Sequence, residues 1–273
     1  MTAADTVLRH DAAPYPHAFT RAEVGWTPHL APLAEEDLTP RHLDGLVDAA
    51  RAKNEYFRLL ARDPEVLRAR TLVDKDVFYN TAEGLPRAER ELAATAASRR
   101  NGCVFCASVH SRFAAHHGKR PEDVDTLLAE GVDADLGERW NAIIAAAVAL
   151  TDTPRAFGPA HIARLRAAGL DDLEIADVVH GAAFFNWANR LMLSLGRPAA
   201  HRLHRDLTDQ RRIETRFQHA DPGADLAVLR QRTPGLTHEP HRPSTRSASG
   251  RRGKQRCVGQ DSPSAVFRRP GNA

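Results

Sequence analysis

In the stretch RRNGCVFCASVHSRF, residues 99–113, Cys103, Cys106 and His110 stand at the spacing C-x-x-C-x-x-x-H. Two thiols and an imidazole so placed can form a redox centre, half of a zinc site, or two buried cysteines beside a surface histidine. Asn101-Gly102 carries the signature of a helix end, so both cysteines fall in the first turns of a new helix. There the unpaired amides and the helix dipole favour a thiolate over a thiol, which ordinarily titrates near about 8.5. Cys106 and His110, four apart, share one face, and Cys103 lies two turns before His110 on the same stripe. A peroxide-reducing dithiol needs such a stripe. One thiolate attacks the O–O bond and becomes a sulfenic acid, and the other condenses with it to a disulfide.

Zinc fits less well. A closed site takes four ligands, and the helical body holds no second C-x-x-C or H-x-x-x-H pair. His116 and His117 read as exposed residues at a helix C-terminus, and His180, on an apolar stretch, as a core histidine. No metal and no cofactor is expected. The preceding helix offers Glu89 and Glu91 as partners for His110. A carboxylate there would fix the tautomer of the imidazole and raise its basicity. Residue type alone leaves the two glutamates level, and either one by itself reads as a solvated helix charge.

The elements that must position these groups are helical by pattern. Thr39-Pro40 opens a helix carrying Leu43, Leu46, Val47 and Ala50 and running on towards Asp63, where Asp63-Pro64 starts a second. A third opens at Pro86 and closes at Asn101-Gly102, a fourth runs from the cysteines to Gly118, and Pro121 begins a short fifth. DLGERWNAIIAAAVALTD, GPAHIARLRAAG and DDLEIADVVHGAAFFNWANRLMLSLG follow as three more. No segment alternates like a strand. GLPRAERELA (84–93) and GLDDLEIADV (169–178) echo one another: Gly-Leu, polar residues, an acid, then an apolar helix start. Such an echo fits a duplicated helical unit of which only the first copy carries cysteines.

At 273 residues and 42% hydrophobic, the chain can bury one core or two. Three cysteines are too few for a disulfide scaffold. The N-terminus lacks the apolar run of a secretory signal, and AIIAAAVAL is far short of a membrane span, so a soluble cytoplasmic protein is expected. The net charge of +3 conceals a split. From Arg205 onward the chain carries 14 Lys+Arg against 7 Asp+Glu, and the remainder 24 against 28. That tail, which includes Cys257, is rich in Pro, Ser, Gly and Arg and reads as disordered. Phe217 and Phe267 alone stand among its arginines, too few for a nucleic-acid stacking surface, so no nucleic-acid partner is expected.

The set Glu91, Cys103, Cys106 and His110, within GLPRAERELAATAASRRNGCVFCASVH, resembles the AhpD-like alkylhydroperoxidases of the carboxymuconolactone decarboxylase superfamily. The spacing E-x11-C-x-x-C-x-x-x-H agrees throughout and selects Glu91 over Glu89. A looser likeness runs over residues 40–200, where F-N-x-x-N-R in AAFFNWANRLMLSLG resembles the last helix of many peroxidase-related members. The resemblance implies an all-α, AhpD-like bundle with duplicated helical units, assembled as a trimer or hexamer. It also implies that Cys106 attacks the peroxide, Cys103 resolves, and Glu91 with His110 relays the proton. A thiol/disulfide protein would return the electrons. Phe105 departs from the pattern, since the characterised peroxidases have histidine there. Asn186, Asn189 and Arg190 read as packing or subunit-interface groups. The expected organisation is an extension over 1–38, the peroxidase domain over 39–204 and the basic tail over 205–273. A redox-responsive C-x-x-C protein without turnover is the alternative.

Overall fold

The computed structural model describes residues 7–8, 16, 18–80 and 82–199. Among them nine α-helices follow in order: α1 (Pro40–Leu46), α2 (Glu55–Leu60), α3 (Pro64–Tyr79), α4 (Arg87–Asn101) and α5 (Val104–Gly118). Then come α6 (Pro121–Glu130), α7 (Glu138–Thr151), α8 (Pro159–Ala167) and α9 (Asp172–Leu195). The fold is all-α, as its helical periodicity requires. The only strands among the described residues are β1 (Gly25–Pro28) and β2 (Gly196–Ala199), paired antiparallel with Gly25 opposite Ala199. Four residues are too few to show alternation, and this pair is a clasp formed by tertiary packing.

The helix boundaries follow local chemistry. Asp63 caps α3 by accepting the Val66 amide ahead of Pro64, and Asp171 and Glu174 form a reciprocal capping box on α9. One expectation is corrected. The helix read from Thr39 to Asp63 is broken into α1, a 3-10 turn (Ala49–Lys53) and α2. Two side chains break it: Asp48 accepts the Ala50 amide and Asn54 accepts the Tyr56 amide, each at 2.9 Å. Short polar side chains that bond to nearby amides compete with the helix, and here they win. The break turns Tyr56 and Leu59 into the core.

Helix α4 is the axis of the molecule, packed against α5, α7 and α9. Leu92, Ala93, Ala94, Ala96 and Ala97 on it are fully buried. The alanines keep its surface narrow, so three helices approach its backbone at once. The loop ahead of α4 is tied down by Arg90, whose guanidinium donates to the Leu85, Val77 and Glu83 carbonyls at 2.5, 2.9 and 2.8 Å and pairs with Asp177 at 2.8 Å. Gly84 (φ 75°) lets that loop turn, and any side chain there would run into the Asp177 carboxylate.

The segment before residue 39 lies against the helices. Trp26 on β1 donates from its indole to the Met192 carbonyl at 3.1 Å and meets Tyr56 edge-on, with ring centroids 5.5 Å apart. Arg21 forks onto Asp125 with two bonds of 2.6 Å. Residues 205–273 lie outside the described residues. No helix among the described residues is long and apolar enough to cross a membrane.

Candidate active site

The turn between α4 and α5 builds the site. Gly102 adopts φ 77°, its amide reaches the Arg99 carbonyl, and the Cys103 amide reaches back to the Ser98 carbonyl at 2.9 Å. A left-handed glycine with these two bonds closes a helix, and closes it tightly. Cys103 then caps the next helix, its carbonyl accepting the Ala107 amide at 3.0 Å. One residue thus ends α4 and begins α5. The two helices run back alongside each other and bring residues from the middle of α4 to the face of α5.

Glu91 and His110 meet across that contact. Glu91 Oε2 lies 2.5 Å from His110 Nδ1, and Glu91 Oε1 accepts from Arg87 Nε at 2.6 Å. The carboxylate is 1% exposed. With both oxygens engaged it cannot rotate away. An ionised carboxylate only accepts, so the His110 proton sits on Nδ1 and Nε2 is the nitrogen left to act as a base. The imidazole is held against Phe185 and Phe78, with centroids 3.9 and 5.4 Å away. Arg87 itself stacks over Tyr79 at 4.2 Å. Glu89, the other candidate, goes elsewhere. Arg139 grips it with two bonds of 2.8 Å and holds Glu174 at 2.9 Å with the same guanidinium.

Cys103 and Cys106 are both buried and both free thiols. Hydrogen bonding to Cys106, together with the Cys106 amide, the Asn189 side chain and the Phe105 amide, pulls the Cys103 thiol below the ordinary cysteine value in spite of its burial. Cys106 is pushed well above it, because hydrogen bonding to Cys103 favours its protonated form, it is buried, and it sits beside the Cys103 charge. The helix N-terminus therefore serves Cys103 first. Of the two thiols, Cys103 is the one that these surroundings favour as the thiolate.

A group read as packing bears on the dithiol. Asn189 on α9 is fully buried, and its side-chain amide favours the charged form of both thiols. It also donates to Ser98 Oγ and accepts from Asn101 Nδ2, each at 3.0 Å. Asn101 bonds Asn186 as well, and Asn186 donates to Thr151 Oγ1, again at 3.0 Å each. A chain of amides thus runs from α7 through α9 to the turn that carries the cysteines. The signal in the sequence was two amides one helical turn apart inside an apolar run. Arg190, next in the chain, is exposed.

His116 and His117 are exposed, and so is His180, which corrects its reading as a core residue: it lies on the solvent side of α9. Phe105 is half-buried against the core. Cys257 lies outside the described residues. Among those residues, no group of three or more His, Cys, Asp or Glu could hold a metal ion.

The site is a buried pair of cysteines at a helix start with a Glu–His pair on the same helix hairpin. Residues 64–149 match the carboxymuconolactone decarboxylase family. The chain is similar in structure to an uncharacterized peroxidase-related protein from Silicibacter sp. TM1040, with a TM-score of 0.51 and 23% identity over 60% of this chain and 89% of that one. It is similar also to an uncharacterized peroxidase-related protein of the alkylhydroperoxidase AhpD core from Ralstonia eutropha JMP134, with a TM-score of 0.51 and 22% identity over 68% and 92%. At such identities the likeness is one of fold. No curated protein matches the chain. Residues 64–149 thus carry the carboxymuconolactone decarboxylase family domain.

Proposed function

We propose that the protein is a thiol-dependent peroxidase that reduces hydrogen peroxide or organic hydroperoxides through Cys103 and Cys106. The observation that carries this reading is the juxtaposition of a buried, hydrogen-bonded dithiol with the Glu91–His110 pair on the same helix hairpin. The Cys106 thiolate attacks one peroxide oxygen, the O–O bond breaks, and Cys106 becomes a sulfenic acid. His110 Nε2, having taken the Cys106 thiol proton directly or through water, passes it to the leaving oxygen, which departs with the bonding pair, while Glu91 holds the imidazolium in between. Cys103 then attacks the sulfenic sulfur, water leaves, and a Cys103–Cys106 disulfide remains. A dithiol donor protein restores the pair by exchange, its own thiols becoming a disulfide.

Cys106 stands one helical turn before His110 on α5, and Glu91 holds that imidazole. A base so placed beside a buried dithiol supports a turnover cycle over a slow, signal-only oxidation. The test is stopped-flow reduction of hydrogen peroxide and of a bulky hydroperoxide with a dithiol reductant, with thiols counted before and after. Loss of two thiols per peroxide and repeated turnover are expected. Loss of the thiols without turnover would leave the redox-responsive alternative. The expected trimer or hexamer, tested by sedimentation, belongs to the same proposal.

A further inference from the structure

An arginine, a glutamate and a histidine stand in line where α4 packs on α5. Arg87 Nε donates to Glu91 Oε1 at 2.6 Å, and Glu91 Oε2 lies 2.5 Å from His110 Nδ1. The three side chains are 15%, 1% and 12% exposed, so water and salt screen little of the charge among them. Arg87 is itself held. Its guanidinium carbon lies 4.2 Å from the ring of Tyr79, at the end of α3, and 5.5 Å from the ring of Phe113 on α5. Rings from two helices fix the planar group, and their cation–π attraction adds to its bond with Glu91.

An ionised carboxylate so deeply buried needs a lasting positive partner. A neutral imidazole is no such partner, whereas a guanidinium does not lose its proton in a protein. The other titratable and charged groups around the pair leave that part to Arg87. On α4, Glu89 is gripped by Arg139 of α7, and Arg90 is engaged by three carbonyls and Asp177. On α5, Cys106 stands one turn before His110, and His117 one turn after Phe113. Burial, and then the Arg87 charge, push His117 down towards its neutral form. From α3 comes Tyr79, whose hydroxyl is pushed up by burial and stays neutral. Helix α9 presents the Phe185 ring.

We propose that Arg87 is the positioning residue of the relay: its charge on Glu91 Oε1 keeps the carboxylate ionised, the His110 proton on Nδ1, and Nε2 free until a thiol gives up its proton. A standing cation beside the pair works against a second proton on it. Without Arg87, the glutamate and histidine would hold that proton between them at rest, and the base would be blocked. With Arg87, the proton that Nε2 takes from Cys106 is held loosely and passes on to the leaving oxygen. The part in turnover rests on the peroxidase reading; the resting protonation of the pair does not.

Nuclear magnetic resonance of the full chain with isotope-labelled histidine tests it without any peroxide, the His110 signal being identified by its loss in His110→Asn. Arg87→Gln should raise the pH at which His110 takes up its proton by about one to three units, the usual reach of a nearby charge, and Arg87→Lys should stay close to the wild type. Arg139→Gln, which frees Glu89 instead, should leave that pH where it is. An unmoved titration in folded Arg87→Gln, or an equal rise in Arg139→Gln, would overturn the proposal. If Arg87→Gln does not fold, Tyr79→Leu decides, because it opens one side of the clamp and keeps the charge. A smaller rise is then expected, and no rise overturns the proposal. In Arg87→Gln the acid limb of peroxide reduction should move up with the histidine titration, and the rate should recover at high pH. A wild type without turnover would sink the peroxidase reading, while the histidine titrations still judge Arg87.

Discussion

The segments 84–93 and 169–178 open two helices in the same way and then part company. Gly84 and Gly169 both take left-handed φ, at 75° and 83°, and Leu85 and Leu170 behind them are buried. Glu89 and Glu174 occupy the same place in the two segments, and both bind Arg139. One arginine on α7 thus ties the two helix starts together. Two residues on, the first segment has Glu91 and the second Ala176. Glu91 points to His110, and Ala176 has nothing to offer a base. The second copy gives something different. Farther along α9 it supplies Asn186 and Asn189, which fold back onto the turn that carries the cysteines. On the proposed mechanism the first copy holds the reacting atoms, and the second packs onto the turn that carries them. A shared position keeps the scaffold, and the unshared Glu91 reaches His110.

Breaking the dithiol should have the largest effect. Cys106→Ser is expected to abolish peroxide consumption, and Cys103→Ser to allow one round of oxidation to a trapped sulfenic acid. Dimedone labelling of each variant reads this out, and a sulfenic acid on Cys103 at the wild-type rate in Cys106→Ser would reverse the assignment.

Next comes the unshared glutamate. Glu91→Gln should slow peroxide reduction at neutral pH by about 10²–10⁴-fold, the usual contribution of a general acid–base group. Without the carboxylate, His110 is a weaker base for Cys106, so the thiolate titration should move up and activity should return in part as pH rises. Glu89→Gln is the control in the shared position. Its expected loss is one of stability, about 1–3 kcal/mol for removing a charge-assisted fork, with the thiolate titration unmoved. Denaturant melts and pH-dependent absorbance separate the two, and equal activity losses would mean that the comparison between the copies is wrong.

Asn189→Ala probes what the second copy adds. It takes the Asn189 bond from Ser98 Oγ and one of two bonds from Asn101, which keeps Asn186, and removes the amide that favours the charged form of both thiols. Stability should fall by about 1–3 kcal/mol, and both cysteines, measured singly, should titrate higher. A fall in stability with unchanged titrations would make Asn189 a packing residue after all. The smallest effect is expected outside both copies: truncation after Asp209 should leave folding and peroxide reduction as they are, checked by melting, sedimentation and turnover.

Much of this was legible in the chain itself, because it rests on short-range physics. Proline at a helix start, a capping aspartate and the Asn101-Gly102 stop act over a few residues, so α3, α4, α5 and α9 lie where those signals put them. Cys103, Cys106 and His110 share a helix, and their order and spacing are properties of that helix alone. The choice between Glu89 and Glu91 is of another kind. Both sit on α4, two residues apart, and only the packing of α5 on one side and α7 on the other sends one to His110 and the other to Arg139. The clasp of β1 on β2, the amide chain through Asn189 and the exposure of His180 depend likewise on partners far along the chain. Spacing along one helix decides which groups can stand together on a face. Which carboxylate reaches the base is decided by helices that meet only when the bundle closes.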